Sequence, residues 1–221
     1  MIRTVVVAST LYQIESFLRA SLSRGELRPE AHTSLAPSSR RARQPGVIPR
    51  AARPAAALVL LYPIGQRVHL ILTRRAGTLD QHAGQISLPG GALNELDVGL
   101  ETIEAAALRE SYEEVGLDIE TIRVIGRLTP LYIPVSNFAL HPVVGISDHR
   151  PTLLKAVREV ACILEVSLSD LRQAGQPRQG IVCRETGTIT VQFYEVQNER
   201  VWGATAMLLS ELLSLVPPHW I

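Results

Sequence analysis

The sequence predicts an α/β fold in which a sheet is covered by helices on both faces. Three observations carry this reading. Strand-like runs alternate with helical ones along the chain, and two of the helical ones, Thr102–Val115 and Ala204–Leu215, are long and well delimited. Apolar residues make up 46% and charged residues 19% of the 221, a composition that packs a core rather than staying disordered. The longest apolar stretch, Ala55–Tyr62, suits a buried strand and is far too short to span a bilayer.

The elements follow in order. Thr10-Leu-Tyr-Gln13 has the form of a capping box, and Ile14, Phe17, Leu18 and Leu22 follow at helical spacing, which predicts a short amphipathic helix over 11–23. Pro29, Pro37, Pro45, Pro49 and Pro54 punctuate the next stretch, so 24–54 is expected to wrap the surface without regular structure. Residues 1–54 therefore read as an extension and 55–221 as the folded domain. Ala57–Tyr62 is a buried strand and Pro63-Ile-Gly-Gln66 a turn. Arg67–Thr73 alternates, with Val68, Leu70 and Leu72 on one face, so the two strands form a hairpin. Gln85–Leu88 is a short strand ended by Pro89-Gly-Gly91. Thr102–Val115 is the clearest helix, closed by Gly116. Ile119–Thr129, Ala139–Ile146, Glu159–Val166 and Thr188–Glu195 read as strands. Ser167–Ala174 reads as a short helix and Ala204–Leu215 as the C-terminal one.

Composition also excludes several functions. A net charge of +1 argues against a dedicated nucleic-acid binder. Residues 1–53 hold nine Arg against three Glu, while the rest holds 13 basic and 18 acidic groups. The basic start is read as a solvated linker rather than an arm for phosphates or membranes. Its apolar run, Val5–Ala8, is shorter than a secretory segment. Two cysteines, Cys162 and Cys183, make neither a disulfide scaffold nor a metal knuckle and suit reduced thiols in a cytoplasmic protein. No membrane or nucleic-acid partner is expected, and a homodimer is left open.

The chemistry concentrates at Arg109-Glu-Ser-Tyr-Glu-Glu-Val-Gly-Leu117. On a helix Glu110, Glu113 and Glu114 share one face, and Leu108, Tyr112 and Val115 are expected to hold the opposite face on the sheet. Three carboxylates that close repel one another unless a cation lies between them. A hard divalent ion, Mg²⁺ or Mn²⁺ with oxygen ligands at about 2.0–2.2 Å, is the natural partner. A merely solvated acidic face is the alternative.

The surroundings favour the metal. Glu101, Arg109, Glu110, Glu113, Glu114, Gly116 and Leu117, after Gly90-Gly91, match the Nudix box in spacing, and the chain resembles that family. There are two departures: nine residues rather than five separate Gly91 from Glu101, and Ser111 stands where an aliphatic residue is usual. The resemblance implies an α/β/α sandwich with a mixed sheet, with Glu110, Glu113 and Glu114 as metal ligands and Glu101 paired with Arg109 to brace the box. It also implies that a carboxylate of the Glu159–Val166 segment, Glu159 or Glu165, approaches the metals as a general base; an ordinary exposed acid is the alternative.

Leu72-Thr-Arg-Arg-Ala-Gly-Thr-Leu79, continuing through His82-Ala-Gly-Gln-Ile-Ser-Leu-Pro-Gly-Gly91, is similar to the signature of the coenzyme A pyrophosphatase branch, with Ala76 for Ser, Ile86 for Val and Leu88 for Phe. By this resemblance the substrate is coenzyme A or an acyl derivative, cleaved to 3′,5′-ADP and 4′-phosphopantetheine. The rivals are another nucleoside diphosphate derivative, such as ADP-ribose or a dinucleotide, and an idle nucleotide-sensing domain. Arg75, then Arg74, with Gly90 and Gly91, are the candidate substrate-binding residues, although Arg75 equally suits a structural pair with a carboxylate. His82 is read as packing. Tyr132 and Phe138 either cover an adenine ring or anchor their loop, and Trp202 is read as core. All these motifs lie beyond the Pro-rich stretch, so residues 1–23 are expected to be dispensable for activity.

Overall fold

Residues 53–64 set the frame. Their alternation sends Leu58, Leu60 and Tyr62 to one side of a strand and Ala57, Val59 and Leu61 to the other, and both sides are buried. Such a strand needs a cover on each face. The computed structural model describes residues 2–37, 46–79, 81–94, 102–184 and 187–221.

In chain order the elements are α1 (Ile2–Ser23), a 3-10 helix (Pro29–Leu35), β1 (Arg53–Ile64), β2 (Arg67–Arg75), β3 (Ile86–Ser87), β4 (Gly90–Ala92) and α2 (Ile103–Val115). Then come a 3-10 turn (Ile119–Thr121), β5 (Arg123–Arg127), β6 (Leu131–Ile133), β7 (Phe138–Ile146), β8 (Val160–Ser167), α3 (Leu168–Gln173), β9 (Arg178–Arg184), β10 (Gly187–Val196), β11 (Glu199–Trp202) and α4 (Gly203–Leu215). The main sheet is mixed: β1 and β7 run parallel, while β2, β4, β5, β6 and β8 add antiparallel neighbours. A second sheet has the order β11-β10-β9. On one face of the main sheet Ala106, Ala107 and Val115 of α2 meet Leu58, Leu60 and Tyr62. On the other, α1 and α4 cover Val59, Leu61, Leu70 and Leu72. The α/β sandwich expected from the sequence is thus present. Among the described residues no helix is long and apolar enough to cross a membrane.

Several expectations change. α1 begins at Ile2 rather than residue 11, because nothing between 2 and 23 breaks a helix, and Thr10 lies inside it rather than capping it. The stretch after α1 is not structureless. Its 3-10 helix buries His32 and Leu35, and Leu11, Ile14, Leu18, Leu35 and Ala36 join the same core as β1 and α4. Buried Glu211 of α4 explains the docking. Its carboxylate accepts from His32 Nε2 (2.8 Å), Thr129 Oγ1 (2.6 Å), the Thr129 amide (3.1 Å) and the Arg28 amide (3.1 Å).

The packed face of α2 also differs. Tyr112 is 62% exposed, and the helix instead turns Ala106, Ala107, Ser111, Glu114 and Val115 inward. Ser111 fits where an aliphatic residue was expected because its hydroxyl donates back to the Ala107 carbonyl at 2.7 Å. Thr102 caps the first turn by accepting from the Ala105 amide, and Gly116 closes the last with φ 68°. The single strand expected over Ile119–Thr129 is a 3-10 turn followed by β5, and β4, β6, β9 and β11 were not expected.

Candidate active site

Two glycines let the acidic helix reach across the sheet edge. β4 pairs with β1 so that Ala57 lies opposite Gly90 and Ala56 opposite Gly91. A Cβ on Gly91 would overlap the Glu110 carboxylate, and a Cβ on Gly90, whose φ is 156°, would overlap the backbone of Ala56 and Ala57. The Gly90 amide donates to Glu114 Oε2 at 3.1 Å. Both glycines are therefore required by what approaches them, and they bring α2 carboxylates to a cavity that the opposite face of β1 also lines.

That cavity measures about 630 Å³. Its polar end is formed by Glu110, Glu159, Arg75, Gly90 and Gly91. Arg75 ends β2 at a bulge against β8, and its Nη1 lies 3.7 Å from Glu114 Oε1. The Arg75 side chain is 26% exposed, and its Nε is buried with no hydrogen-bond partner among the described residues, a donor left for something in the cavity. Glu159 reaches this end because the loop before β8 is pinned to α2 and β2. The Ala156 amide donates to the Glu114 carbonyl (2.8 Å), and the Ala76 amide to the Glu159 carbonyl (2.8 Å).

Crowding and burial act on the carboxyls. Burial, then repulsion from Glu110 and Glu159, pushes Glu114 up to about 7 against the pull of the Gly90 amide and Arg75. Burial also raises Glu110, helped by Glu113 and Glu159 and opposed by Arg109. Glu113 is exposed, its side chain 51% accessible. Arg109 Nη1 touches Glu110 at 2.8 Å and Glu113 at 3.3 Å, and Arg109 also donates to the Ala92 carbonyl. Among the described residues no three of these acids already converge on one point. A cation held by all three α2 carboxylates needs Arg109 to move off Glu110. Glu101, expected to take Arg109, lies outside the described residues. The donor set is all oxygen and mutually repelling, with Glu114 buried, Glu110 half-buried and Glu113 exposed, which fits a hard divalent cation.

Other candidates separate clearly. Arg74 does not line the cavity; it pairs with Glu199 of β11 at 2.9 Å. Glu165 is tied to Arg150 at 2.5 Å and to the Tyr62 hydroxyl at 3.0 Å, outside the cavity, which leaves Glu159 as the base candidate. Tyr132 turns its hydroxyl to Asn137, whereas Phe138 lines the cavity with Arg53 over its ring at 5.1 Å. His82, at φ 59°, lines the cavity and contacts Gln85 through Nδ1. Trp202 lines the cavity rather than either core cluster. Its position just before the Gly203–Leu215 helix was visible in the sequence, but the fold of β9–β11 that turns it inward was not.

Comparison with known proteins follows the geometry. Residues 52–160 match the NUDIX domain family model. The chain is 38% identical over 162 residues, 72% of its length, to a Nudix hydrolase, NudL, of Cronobacter sakazakii that is described as uncharacterized, and covers 81% of that protein. It is 36% identical to NudL of Photorhabdus laumondii, over 66% of this chain and 76% of that one. Among solved structures, RenU, a Nudix hydrolase from M. smegmatis, aligns at 25% identity with a TM-score of 0.46, covering 55% of this chain and 74% of that one.

Proposed function

Since the chain belongs to the Nudix hydrolase family, we propose that it uses Mg²⁺ or Mn²⁺ to hydrolyse the pyrophosphate bond of coenzyme A or an acyl derivative, giving 3′,5′-ADP and 4′-phosphopantetheine or its acyl form. The observation that carries the hydrolase reading is that Glu110, Glu159 and Arg75 line one cavity with the Gly90-Gly91 notch, while buried Glu114 accepts from the Gly90 amide and lies 3.7 Å from Arg75. The coenzyme A reading is supported by the run from Leu72 to Gly91, which supplies both Arg75 and that notch.

Glu110 and Glu114, with Glu113 once Arg109 moves, would hold the metal. When bound, the cation supplies Lewis-acid stabilisation of charge on the pyrophosphate oxygens. The protein groups do the rest. Arg75, through its unpartnered Nε, holds a phosphate oxygen in a charge-assisted contact. Glu159, exposed at the polar end, accepts a proton from the attacking water. The Gly90-Gly91 backbone keeps the scissile group close to the carboxylates because no side chain intervenes. Water attacks one phosphorus, the bridging P–O bond breaks, and the two phosphate products leave without a covalent enzyme intermediate.

The test is incubation with Mg²⁺ or Mn²⁺ and a panel of coenzyme A, dephospho-coenzyme A, ADP-ribose and diadenosine diphosphate, followed by product analysis. The expected products from coenzyme A are 3′,5′-ADP and 4′-phosphopantetheine. Cleavage of ADP-ribose with coenzyme A untouched would move the substrate to another nucleoside diphosphate derivative. No hydrolysis of any substrate would make the domain a sensor.

A further inference from the structure

Four buried side-chain polar atoms have no hydrogen-bond partner among the described residues: His32 Nδ1, Arg75 Nε, Ser136 Oγ and Arg172 Nε. Two of these side chains, Arg75 and Ser136, belong to residues that line the cavity. Arg75 has a use in the reading above, and Ser136 has none.

The turn that carries Ser136 is built to hold its shape. It joins β6 to β7, where Ile133 lies opposite Phe138. The Ser136 amide donates to the Ile133 carbonyl (3.3 Å) and the Asn137 amide to the Pro134 carbonyl (3.4 Å). Asn137 closes the turn at φ 53°, a conformation asparagine tolerates better than most residues. Its side chain accepts from the Tyr132 hydroxyl at 3.0 Å and donates to the Ala51 carbonyl at 3.1 Å, and its own carbonyl accepts from the Arg53 amide at 2.8 Å. The turn is thereby tied to the start of β1. Serine in a turn commonly bonds a nearby backbone group, but this hydroxyl does not. An orphan buried hydroxyl costs stability in the free protein, and a ligand that pairs it recovers that cost. With one side-chain torsion to adjust, and able both to donate and to accept, it meets a ligand group at little loss of freedom.

Strand register limits what it can meet. Along β1, Phe138 pairs with Arg53 and Gly90 with Ala57. Four residues of strand span about 13 Å. A pyrophosphate held at the Gly90-Gly91 notch therefore ends short of the β6–β7 turn, and the part of a ligand near Ser136 is a substituent carried by one phosphate. We propose that Ser136 determines substrate specificity by hydrogen-bonding a hydroxyl or amide on that substituent, with Asn137 and Tyr132 as positioning residues. The proposal rests on a diphosphate occupying the notch, as in the reading above. In coenzyme A both arms offer such a group, a ribose hydroxyl on one and the pantoyl hydroxyl and amide on the other.

Calorimetric titration of the full chain in Mg²⁺ buffer tests this with three uncleavable ligands: methylenediphosphonate, its adenosine 5′-monoester and its pantetheine 4′-monoester. Ser136→Ala should weaken at least one of the two esters by about fivefold or more and leave methylenediphosphonate unchanged. The ester that weakens identifies the arm. Ser136→Thr, which keeps a hydroxyl, should retain most of the affinity, and Tyr132→Phe, which loosens Asn137, should weaken the same ester by a smaller factor. The melting midpoint of ligand-free Ser136→Ala should hold or rise, because the substitution removes a group without a partner, whereas loss of a serine that merely holds the turn would lower it. Wild-type affinity for both esters in Ser136→Ala, or equal weakening of all three ligands, would overturn the proposal alone, whether or not coenzyme A is hydrolysed. Failure of the wild type to bind any of the three would overturn it together with the phosphate assignment of the notch. Selective weakening of one ester without coenzyme A hydrolysis would uphold it and point to a different diphosphate.

Discussion

Glu114 is where burial and charge act most strongly on one side chain. Its carboxyl stands at about 7 in the folded chain against an ordinary 4.5, because burial, then Glu110 and Glu159, disfavour its charge. A group raised in this way takes up protons on folding. Its contribution to stability is therefore fully present below about pH 4.5 and is lost as pH rises through about 7. The loss is on the order of 3 kcal/mol. Metal-free protein should then weaken in denaturant melts between about pH 5 and about pH 8. Glu114→Gln should flatten that dependence and bring turnover close to zero, and near wild-type turnover would remove Glu114 from the ligand set. Glu159→Gln should cut turnover by about 10²–10⁴ if Glu159 is the principal base, and a loss under about tenfold would exclude that role. Arg75 is revised by its surroundings. As a substrate-binding candidate in the coenzyme A-like signature it would be suited to read the 3′-phosphate that sets coenzyme A apart from dephospho-coenzyme A, but its guanidinium lies 3.7 Å from Glu114, at the reacting end. Arg75→Ala should therefore lower kcat/KM on coenzyme A and dephospho-coenzyme A by the same factor, about tenfold to a hundredfold. A loss confined to coenzyme A would restore the 3′-phosphate role.

At the scale of elements, α1 shows what periodicity can and cannot convey. Ile14, Leu18 and Leu22 were legible as a helical stripe, but what the stripe packs on was not. It lies against β5, β1 and β2, contacts distant in sequence. Glu211 was illegible for a similar reason: an acid inside an apolar helix carries meaning only once His32, Thr129 and Arg28 converge on it. The acidic helix was legible because its chemistry is local to Glu110–Glu114, whereas its buried face was misread from Tyr112, which the rotation set by Ala106 and Ala107 leaves in solvent. β9 escaped notice because Arg178, Gln179 and Gly180 break the alternation, and its pairing with β10 supplies the order instead. These contacts reverse the expectation that residues 1–23 are dispensable. Burial of Leu11, Ile14 and Leu18 is worth about 1.5–3 kcal/mol each, comparable in sum to the about 5–15 kcal/mol that holds a domain folded. Deletion of 1–23 should give insoluble or unfolded protein, and Leu18→Ala alone should cost about 2–5 kcal/mol in denaturant melts. A soluble, active truncation would show the packing to be expendable.

For the whole molecule, the decisive feature is that one core cluster runs from Leu11, Ile14 and Leu18 of α1 through Leu35, Val59 and Leu61 to Leu208 and Leu212 of α4. The first and last helices thus cover the same face of the sheet, and buried Glu211 ties the segment between them to α4. Burial opposes ionisation of Glu211, but the hydrogen bonds from His32, Thr129 and the Arg28 amide outweigh it and hold its carboxyl below the ordinary value. A depressed carboxyl stabilises the fold above its unfolded value near 4.5 and loses that contribution as pH falls through its folded one. An extension merely appended to a domain would melt by itself, and acid would release it first. A shared core predicts the opposite: the full chain should unfold in one cooperative transition, with far-UV dichroism, tryptophan emission from Trp202 and Trp220, and protease cleavage near Arg28 all sharing one midpoint. Trp220 reports on α1 directly because its ring stands edge-on to Phe17 at 5.5 Å. Glu211→Leu should lower that midpoint without splitting the transition, since it leaves His32, Thr129 and Arg28 without their acceptor while the apolar contacts remain. An early cleavage phase at Arg28, ahead of the dichroism midpoint in wild type, would restore the division at residue 54.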